Sequence, residues 1–259
     1  MLGVFQGLAG IGMLVWYVAA IYVGLRLLVL ARRGAHRPAL LIGTYLLVAM
    51  GMGGAAMSLP MARGATETIT ITVVDRALLG SGCLFTAIGI LAILTFTREV
   101  FRREQRWARG VRGAIAAIVV VGLLGHGLTT GFYLDLGGRF GVVFLVGSVL
   151  ASGWTSLESL IYYRQMRRRL KIGLAEPIVA NRFLLWGLGA GSAVALLLLS
   201  LLQEWMRIAL SVETFHAIRK GSLPLMAFFG LASASCYLFA FSPAAWYRRL
   251  FERAPAGGA

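Results

Sequence analysis

The residues best suited to chemistry lie in one apolar stretch, residues 141–162. Small and polar side chains recur there three or four positions apart, which places them on one face of a helix. They are Ser148, Ala151, Ser152, Thr155, Glu158, Ser159 and Tyr162, with Trp154 beside them. If the helix spans a membrane, this face must point at other helices, because lipid offers no hydrogen-bond partners. Either close helix packing through hydrogen bonds or a cleft for a ligand or ion would explain it.

Glu158 is the carboxylate embedded in that stretch, about 9 Å of helix rise before Arg164. At such a depth a carboxylate must pair with a base or stay protonated, because desolvation disfavours its charged form. The expected partners are arginines at the same end, such as Arg26 or Arg182, or a tyrosine hydroxyl. An ion pair that fastens helix ends and a role in proton or ligand binding both remain open.

The candidate ligand-binding set contains six residues, of which the first five share one stretch: Ser148, Ser152, Trp154, Thr155, Glu158 and His126. A lone histidine inside an apolar stretch more often joins helices than binds a ligand. No HxxH, HxxxH or HExxH spacing occurs, so neither a metal site nor a cofactor is predicted. The chain also lacks a Walker A loop, a CxxCH motif, a GxSxG motif and a lysine within 223–242 for a retinal Schiff base. An enzyme is therefore not predicted.

Seven apolar stretches must position these residues, and they dominate the chain. They cover residues 8–30, 39–59, 74–97, 113–132, 141–162, 183–203 and 223–242. Each has about 20 residues, enough to cross a hydrocarbon core of about 30 Å as a helix. A mean hydropathy of +0.80 excludes a soluble domain. The predicted fold class is all-α: a polytopic bundle of seven transmembrane helices over 1–242, then a short amphipathic helix and tail over 243–259.

Charge predicts the orientation of this bundle. The net charge is +15, and most of the 25 lysines and arginines lie in or beside the first, third and fifth connections and the tail. The positive-inside rule then places the N-terminus outside and the C-terminus in the cytoplasm. The abundance of Ala, Gly and Arg over Lys is typical of a bacterium with a GC-rich genome, which predicts the bacterial inner membrane.

The basic residues also predict partners. Those near the inner surface contact anionic lipid headgroups, whereas nucleic acid is not expected because the charges occupy short connections without a binding fold. The two arginine-rich inner loops, near 98–112 and 163–182, are candidate docking sites for a cytoplasmic or membrane signalling partner. The candidate partner-binding residues there are Arg103, Arg106, Arg167, Arg168 and Arg182.

Local patterns predict four further features. Residues 66–73 alternate Thr with Glu or Ile and favour extended structure. Residues 211–221 have helix punctuation and predict a short interfacial helix, either a lid or a packed loop. Glu176-Pro177 should break the helix that extends from the fifth stretch. Ser242-Pro243 is a favourable start for the amphipathic C-terminal helix.

Three segments at the predicted cytoplasmic edge carry a resemblance: residues 96–109 (FTREVFRREQRWAR), 173–187 (GLAEPIVANRFLLWG) and 239–250 (FAFSPAAWYRRL). With the helix count, they resemble seven-helix bacterial membrane modules that occur alone or ahead of histidine kinases and other signalling domains. This resemblance implies a sensory role exerted through a separate partner. The predicted function is a non-enzymatic receptor or sensor for a small or lipid-like molecule. The alternatives are a transporter or channel for a small solute, lipid or ion, and a structural subunit of a membrane complex.

Overall fold

The computed structural model describes residues 2–34, 36–62, 72–132, 138–241 and 245–252, and the described part is almost entirely helical. Its helices are Leu2–Gly34, Arg37–Thr44, a π-helix Tyr45–Gly53, Gly54–Ala62, Val73–Phe101, Arg106–Thr130, Arg139–Lys171, Pro177–Ala209, Val212–Phe241 and Ala245–Glu252. Seven segments are long and apolar enough to cross a membrane, and we call them the first to seventh spans: Gly10–Gly34, Arg37–Pro60, Val73–Phe101, Arg106–Thr130, Arg139–Lys171, Pro177–Arg207 and Glu213–Phe241. The predicted class, an all-α multi-pass membrane protein with seven spans, is confirmed.

Recognisable capping groups set the ends of the central spans. The third span begins with a capping box in which Thr72 Oγ1 accepts from the Asp75 backbone N–H at 3.2 Å, and Asp75 Oδ2 accepts from the Thr72 N–H at 3.1 Å. The fifth span ends in a Schellman motif, since Gly173 has φ +72 and the Leu174 N–H donates to the Arg169 carbonyl at 2.9 Å. The fifth span therefore ends before Glu176-Pro177 is reached. Pro177 is the first residue of the sixth span and does not end the fifth.

Two predicted connections are wrong in extent because the helices run beyond their apolar cores. The third connection shrinks to residues 102–105 and the fifth to 172–176. Arginine is a good helix former, and cations favour the last turn of a helix, so the basic segments continue the helices. The separate interfacial helix over 211–221 is also wrong. Ser211 precedes a helix start as predicted, but Val212–Phe241 is one continuous helix that does not stop at Gly221.

Two local predictions stay predictions. Most of the extended segment 66–73 and all of the Ser242-Pro243 pair lie outside the described residues. A helix covers Ala245–Glu252, where its Tyr247 stacks on Phe239 with centroids 5.2 Å apart. The amphipathic and cytoplasmic character of that helix stays a prediction.

The seven spans pack side by side as a closed ring. Each span contacts the next, the first packs against the seventh, and the third also contacts the fifth. One core cluster joins the first, second, third, sixth and seventh spans, and a second joins the third, fourth and fifth. Because the third span contributes to both clusters, it holds the bundle together. At Gly122 the fourth span approaches the fifth so closely that a Cβ would lie 2.5 Å from the Phe144 backbone nitrogen.

Candidate functional site: a polar seam on the fifth span

The predicted polar face of the fifth span is buried inside the bundle. We call six polar residues the polar seam: Ser148, Ser152, Thr155, Glu158 and Ser159 of the predicted face, and Ser156 beside it. All six are buried. The prediction that this face points at other helices and not at lipid is confirmed for its five seam residues and for Ala151, whereas Tyr162 is half-buried.

A hydroxyl pair connects the seam to the third span. Thr155 Oγ1 lies 2.8 Å from Thr97 Oγ1, and both residues are buried. Each hydroxyl is also within reach of a carbonyl one turn earlier in its own helix, Ala151 for Thr155 and Ile93 for Thr97. One hydroxyl therefore donates across the interface while the other donates to its own helix, which satisfies both groups in the dry interior.

Other seam residues reach the second and sixth spans. Ser156 Oγ donates to the Gly187 carbonyl of the sixth span at 2.8 Å. Ser152 is a hydrogen-bond partner of the Tyr45 hydroxyl on the second span, and Tyr45 in turn contacts Tyr237 on the seventh. Tyr45 is the first residue of the π-helix, a wider turn that often marks functional segments. Polar contacts thus fasten the fifth span to the second, third and sixth spans.

Glu158 forms an ion pair at the end of the seam. Arg102 Nε lies 2.9 Å from both carboxylate oxygens, and Trp154 Nε1 donates to Oε1 at 3.2 Å. The Glu158 side chain is 6% exposed and that of Arg102 26%. The carboxylate is therefore shielded and has three donor contacts, whereas the guanidinium retains access to water.

The turn after the third span places Arg102. The third helix ends at Phe101, and Arg102 leaves helical geometry with φ −139 and ψ 37. This tight turn returns the chain so that the Trp107 ring lies 5.6 Å from the guanidinium carbon, within cation–π range. Trp107 also faces Trp154 at a centroid distance of 6.4 Å. Two indoles from different spans thus flank the ion pair.

The predicted partners of Glu158 were wrong in identity although right in type. The structure selects Arg102 in place of Arg26, Arg182 or a tyrosine, because the turn after the third span brings Arg102 to the face of the fifth span that carries Glu158. A signal for this arrangement exists in the sequence. Thr97 and Arg102 lie near the end of the third stretch, as Thr155 and Glu158 do in the fifth. Two polar pairs at matching depth point to facing helices.

The structure brings Trp154 to Glu158 but places His126 elsewhere. His126 lies on the fourth span, about 28 Å of helix rise from Trp107 beside the ion pair. It is buried, its Nδ1 is 3.1 Å from Thr130 Oγ1, and its ring meets Phe132 edge-on at 5.6 Å. His126 and Glu158 therefore belong to opposite ends of the bundle, and one shared site is excluded.

All five candidate partner-binding arginines are exposed, and most are helical. Arg103 lies in the short turn after the third span, and the others lie at helix ends: Arg106, Arg167, Arg168 and Arg182. Next to Arg182, the Asn181 side chain donates to the hydroxyl of Tyr247 in the C-terminal helix. These residues form a basic surface around the ends of the third to sixth spans.

Two cavities are described, and the seam lines neither. One of about 240 Å³ adjoins the connection between the first and second spans, with Arg32 and His36 in its lining. The other, of about 590 Å³, lies between the third and fourth spans near Gly80 and Gly127. The seam hydroxyls described above are used in helix contacts, so the geometry supports a packed seam with an ion pair at its end. A ligand role for these residues stays a prediction.

Comparison with known proteins adds no assignment. No protein-family model, curated protein or solved structure matches this chain. Among the described residues, no group of three or more His, Cys, Asp and Glu side chains is arranged to hold a metal ion. The fold and site define a multi-pass all-α membrane protein with a buried interhelical ion pair.

Proposed function

We propose that this protein is a non-enzymatic receptor or sensor of the bacterial inner membrane. It binds a small or lipid-like molecule and signals through its arginine-rich surface, with the N-terminus outside and the C-terminus in the cytoplasm. The observation that carries this proposal is the Arg102–Glu158 pair, which joins the end of the third span to the fifth. The asymmetric distribution of arginine supports the orientation.

The pair has the properties of a two-state element. It is more shielded than a surface ion pair, so breaking it costs more than the ~0.2–1 kcal/mol of exposed pairs. It is less enclosed than a fully buried pair, for which removal of one partner costs about 3–5 kcal/mol. A cost between these limits matches the few kcal/mol that separate conformations in switching proteins. Opening the pair would release the turn that carries Arg103.

The surface next to the pair suits a partner that is negatively charged. Arg103 and Arg106 adjoin the pair on one side, and Arg167 and Arg168 extend the fifth span on the other. Their planar guanidinium groups bind carboxylate and phosphate in bidentate geometry. A signalling protein with an acidic surface and the anionic headgroups of the membrane are the partners we propose for these arginines.

The test measures whether the ion pair controls the spacing of the inner surface. Cys83 and Cys236, both unpaired, are first replaced by alanine, and spin labels are attached to R103C and R167C in proteoliposomes. In the parent the label distance should be narrow, and Glu158→Gln should add a second population. The matched control is Arg37→Ala, which breaks the exposed Arg37–Glu99 contact between the second and third spans and should leave the distance unchanged.

A second readout separates sensing from transport. The same proteoliposomes are loaded with a pH-sensitive dye and subjected to a proton gradient. A sensor should show no flux that depends on Glu158. An unchanged label distance together with proton flux abolished by Glu158→Gln would replace the sensor proposal with a transporter, since the amide cannot ionise.

A further inference from the structure

A narrow slot separates the third and fourth spans in the half of the bundle remote from Arg102. It has a volume of about 590 Å³. Gly80 and Gly127 line it on opposite helices, and the ring of Phe132 lies between them at one end. A Cβ on Gly80 would lie 3.0 Å from Cδ2 of that ring, and one on Gly127 would lie 2.7 Å from Cζ. Because both glycines face one ring, the two helices at this level stand about one aromatic ring apart.

The rim of the slot is apolar and exposed. Leu84, Leu124 and Leu128 form it, and Leu128 is 87% exposed. Ser81 has the one polar side chain among the described lining residues, and its hydroxyl donates to the Leu78 carbonyl at 2.9 Å. The lining therefore offers no free polar group to a headgroup, a sugar or an ion.

The end wall of the slot is held in an unusual conformation. Phe132 has φ +58, in the left-handed region that a residue with a Cβ rarely adopts. It follows Gly131, the left-handed cap of the fourth span, and its ring packs edge-on against buried His126. Such a conformation persists only where surrounding contacts impose it. The ring is thus fixed between the spans, and the slot has a defined end.

Width and surroundings together identify the occupant. Both walls belong to membrane-spanning helices, so hydrocarbon chains are the molecules that meet the slot. A helix with its side chains is about 10–12 Å across and cannot enter a gap of one ring's width. The volume is within the ~300–1,000 Å³ range of ligand pockets. We infer that the slot binds a single acyl chain of a membrane lipid, inserted sideways from the bilayer.

This inference rests on the proposed function and names the chemical class of its ligand. The third and fourth spans form a hairpin whose closed end is the turn 102–105, which contains Arg102. The slot lies at the open end of the same hairpin. A chain that enters the slot therefore acts on the angle between the two helices that the Arg102 turn connects.

The test detects the bound chain by photochemical labelling. The full-length protein is reconstituted in vesicles of phosphatidylethanolamine and phosphatidylglycerol that contain a phospholipid with a diazirine near the end of its acyl chain. After illumination, lipid adducts are mapped by peptide mass spectrometry. Adducts within 80–84 and 123–128 should saturate as the labelled fraction rises, and unlabelled phospholipid should compete with them. Adducts on other lipid-facing positions should rise in proportion to the labelled fraction.

Two variants that each replace an exposed leucine by tryptophan test whether the labelling is specific to the slot. Leu124→Trp fills the slot from its rim and should abolish the saturable adducts. Leu157→Trp places the same ring on an exposed position of the fifth span and should leave them intact. A melting curve for each variant confirms folding. Proportional labelling within the slot, or saturable labelling that survives Leu124→Trp, would overturn the inference.

A cysteine in place of Leu124 tests for another occupant of the slot. A disulfide between two L124C chains in the membrane, with no saturable adduct, would show that a second copy covers the slot and would also overturn the inference. The assay reads binding without any signalling step. Loss of the adducts would therefore contradict lipid binding in the slot and leave the proposed role of the Arg102–Glu158 pair intact. Saturable adducts without any change in the distance between the spin labels would contradict the sensor proposal alone.

Discussion

Glu158→Gln and Arg102→Ala remove opposite halves of one ion pair, and the structure predicts unequal costs. Arg102→Ala leaves a carboxylate that is 6% exposed with Trp154 as its one remaining described donor. We expect this variant to lose about 3 kcal/mol of stability, at the lower end of the range for a buried pair that loses one partner. Glu158→Gln leaves a guanidinium that is 26% exposed and can be hydrated. We expect a loss of about 1.5–2 kcal/mol, at the lower end of the range for a hydrogen bond to a charged group.

The assay is reversible unfolding in mixed micelles, followed by circular dichroism as sodium dodecyl sulfate is added. The two single variants and the double variant form a double-mutant cycle, which isolates the energy of the pair from other effects of each substitution. We expect a coupling energy of about 1.5 kcal/mol or more, within the range measured for residues in contact. Arg37→Ala is the control and should cost less than about 1 kcal/mol, because Arg37 is 70% exposed in its contact with Glu99.

Two results would refute this reasoning. A coupling energy below about 0.5 kcal/mol would show that the two residues act independently. A larger loss for Glu158→Gln than for Arg102→Ala would mean that the guanidinium, not the carboxylate, is the group that depends on its partner. Either result would remove the basis for our proposal that the pair opens during signalling.

Three further predictions concern packing and topology. Thr155→Val should lower the free energy of unfolding by about 0.6 kcal/mol, the average for interhelical hydrogen bonds in membranes. Adding Thr97→Val should lower it little further, and a much larger loss from Thr155→Val alone would contradict the prediction. Gly122→Ala should destabilise the protein by about 1–3 kcal/mol, because its Cβ would meet backbone atoms of the fifth span. Gly113→Ala has open space around it and should stabilise the protein by about 0.5–1 kcal/mol. Equal melting curves for the two variants would contradict the packing. A cysteine at Arg103 should react with impermeant maleimide only from the cytoplasmic side, and labelling of intact cells would reverse the orientation.

The number of spans and the direction of the polar face could be predicted from sequence because lipid imposes both. A backbone in hydrocarbon must satisfy its own hydrogen bonds, so each apolar run of about 20 residues becomes a helix. A row of hydroxyls and a carboxylate on such a helix must face protein, and the burial of Ser148 and Glu158 follows that rule. These predictions need only the chain and the properties of the membrane.

Helix partners and helix ends could not be predicted in the same way. Arg26, Arg102 and Arg182 all lie near one end of the bundle, and only the packing of the third span against the fifth selects Arg102 for Glu158. The apolar pattern predicts helices that are too short, because basic residues end an apolar run without ending the helix. Residues 164–171 continue the fifth helix to Lys171. The slot depends on two glycines and one ring meeting across two spans, which periodicity in a single helix does not reveal.

The fourth span lines the slot near one end and contacts the ion pair at the other, through Trp107. That helix therefore provides the physical link between the two sites. The fourth span lies outside the central cluster that joins most of the others, so it is the wall best able to tilt when a chain enters. Leu124 and Trp107 are separated by about 25 Å of helix rise, so a tilt of about 3° displaces one end relative to the other by about 1.3 Å. The donor contacts of Glu158 at 2.9 Å have about 0.6 Å to spare before they stop being hydrogen bonds. Trp107 packs on Arg102, so a shift of that size at the indole is large enough to disturb the pair.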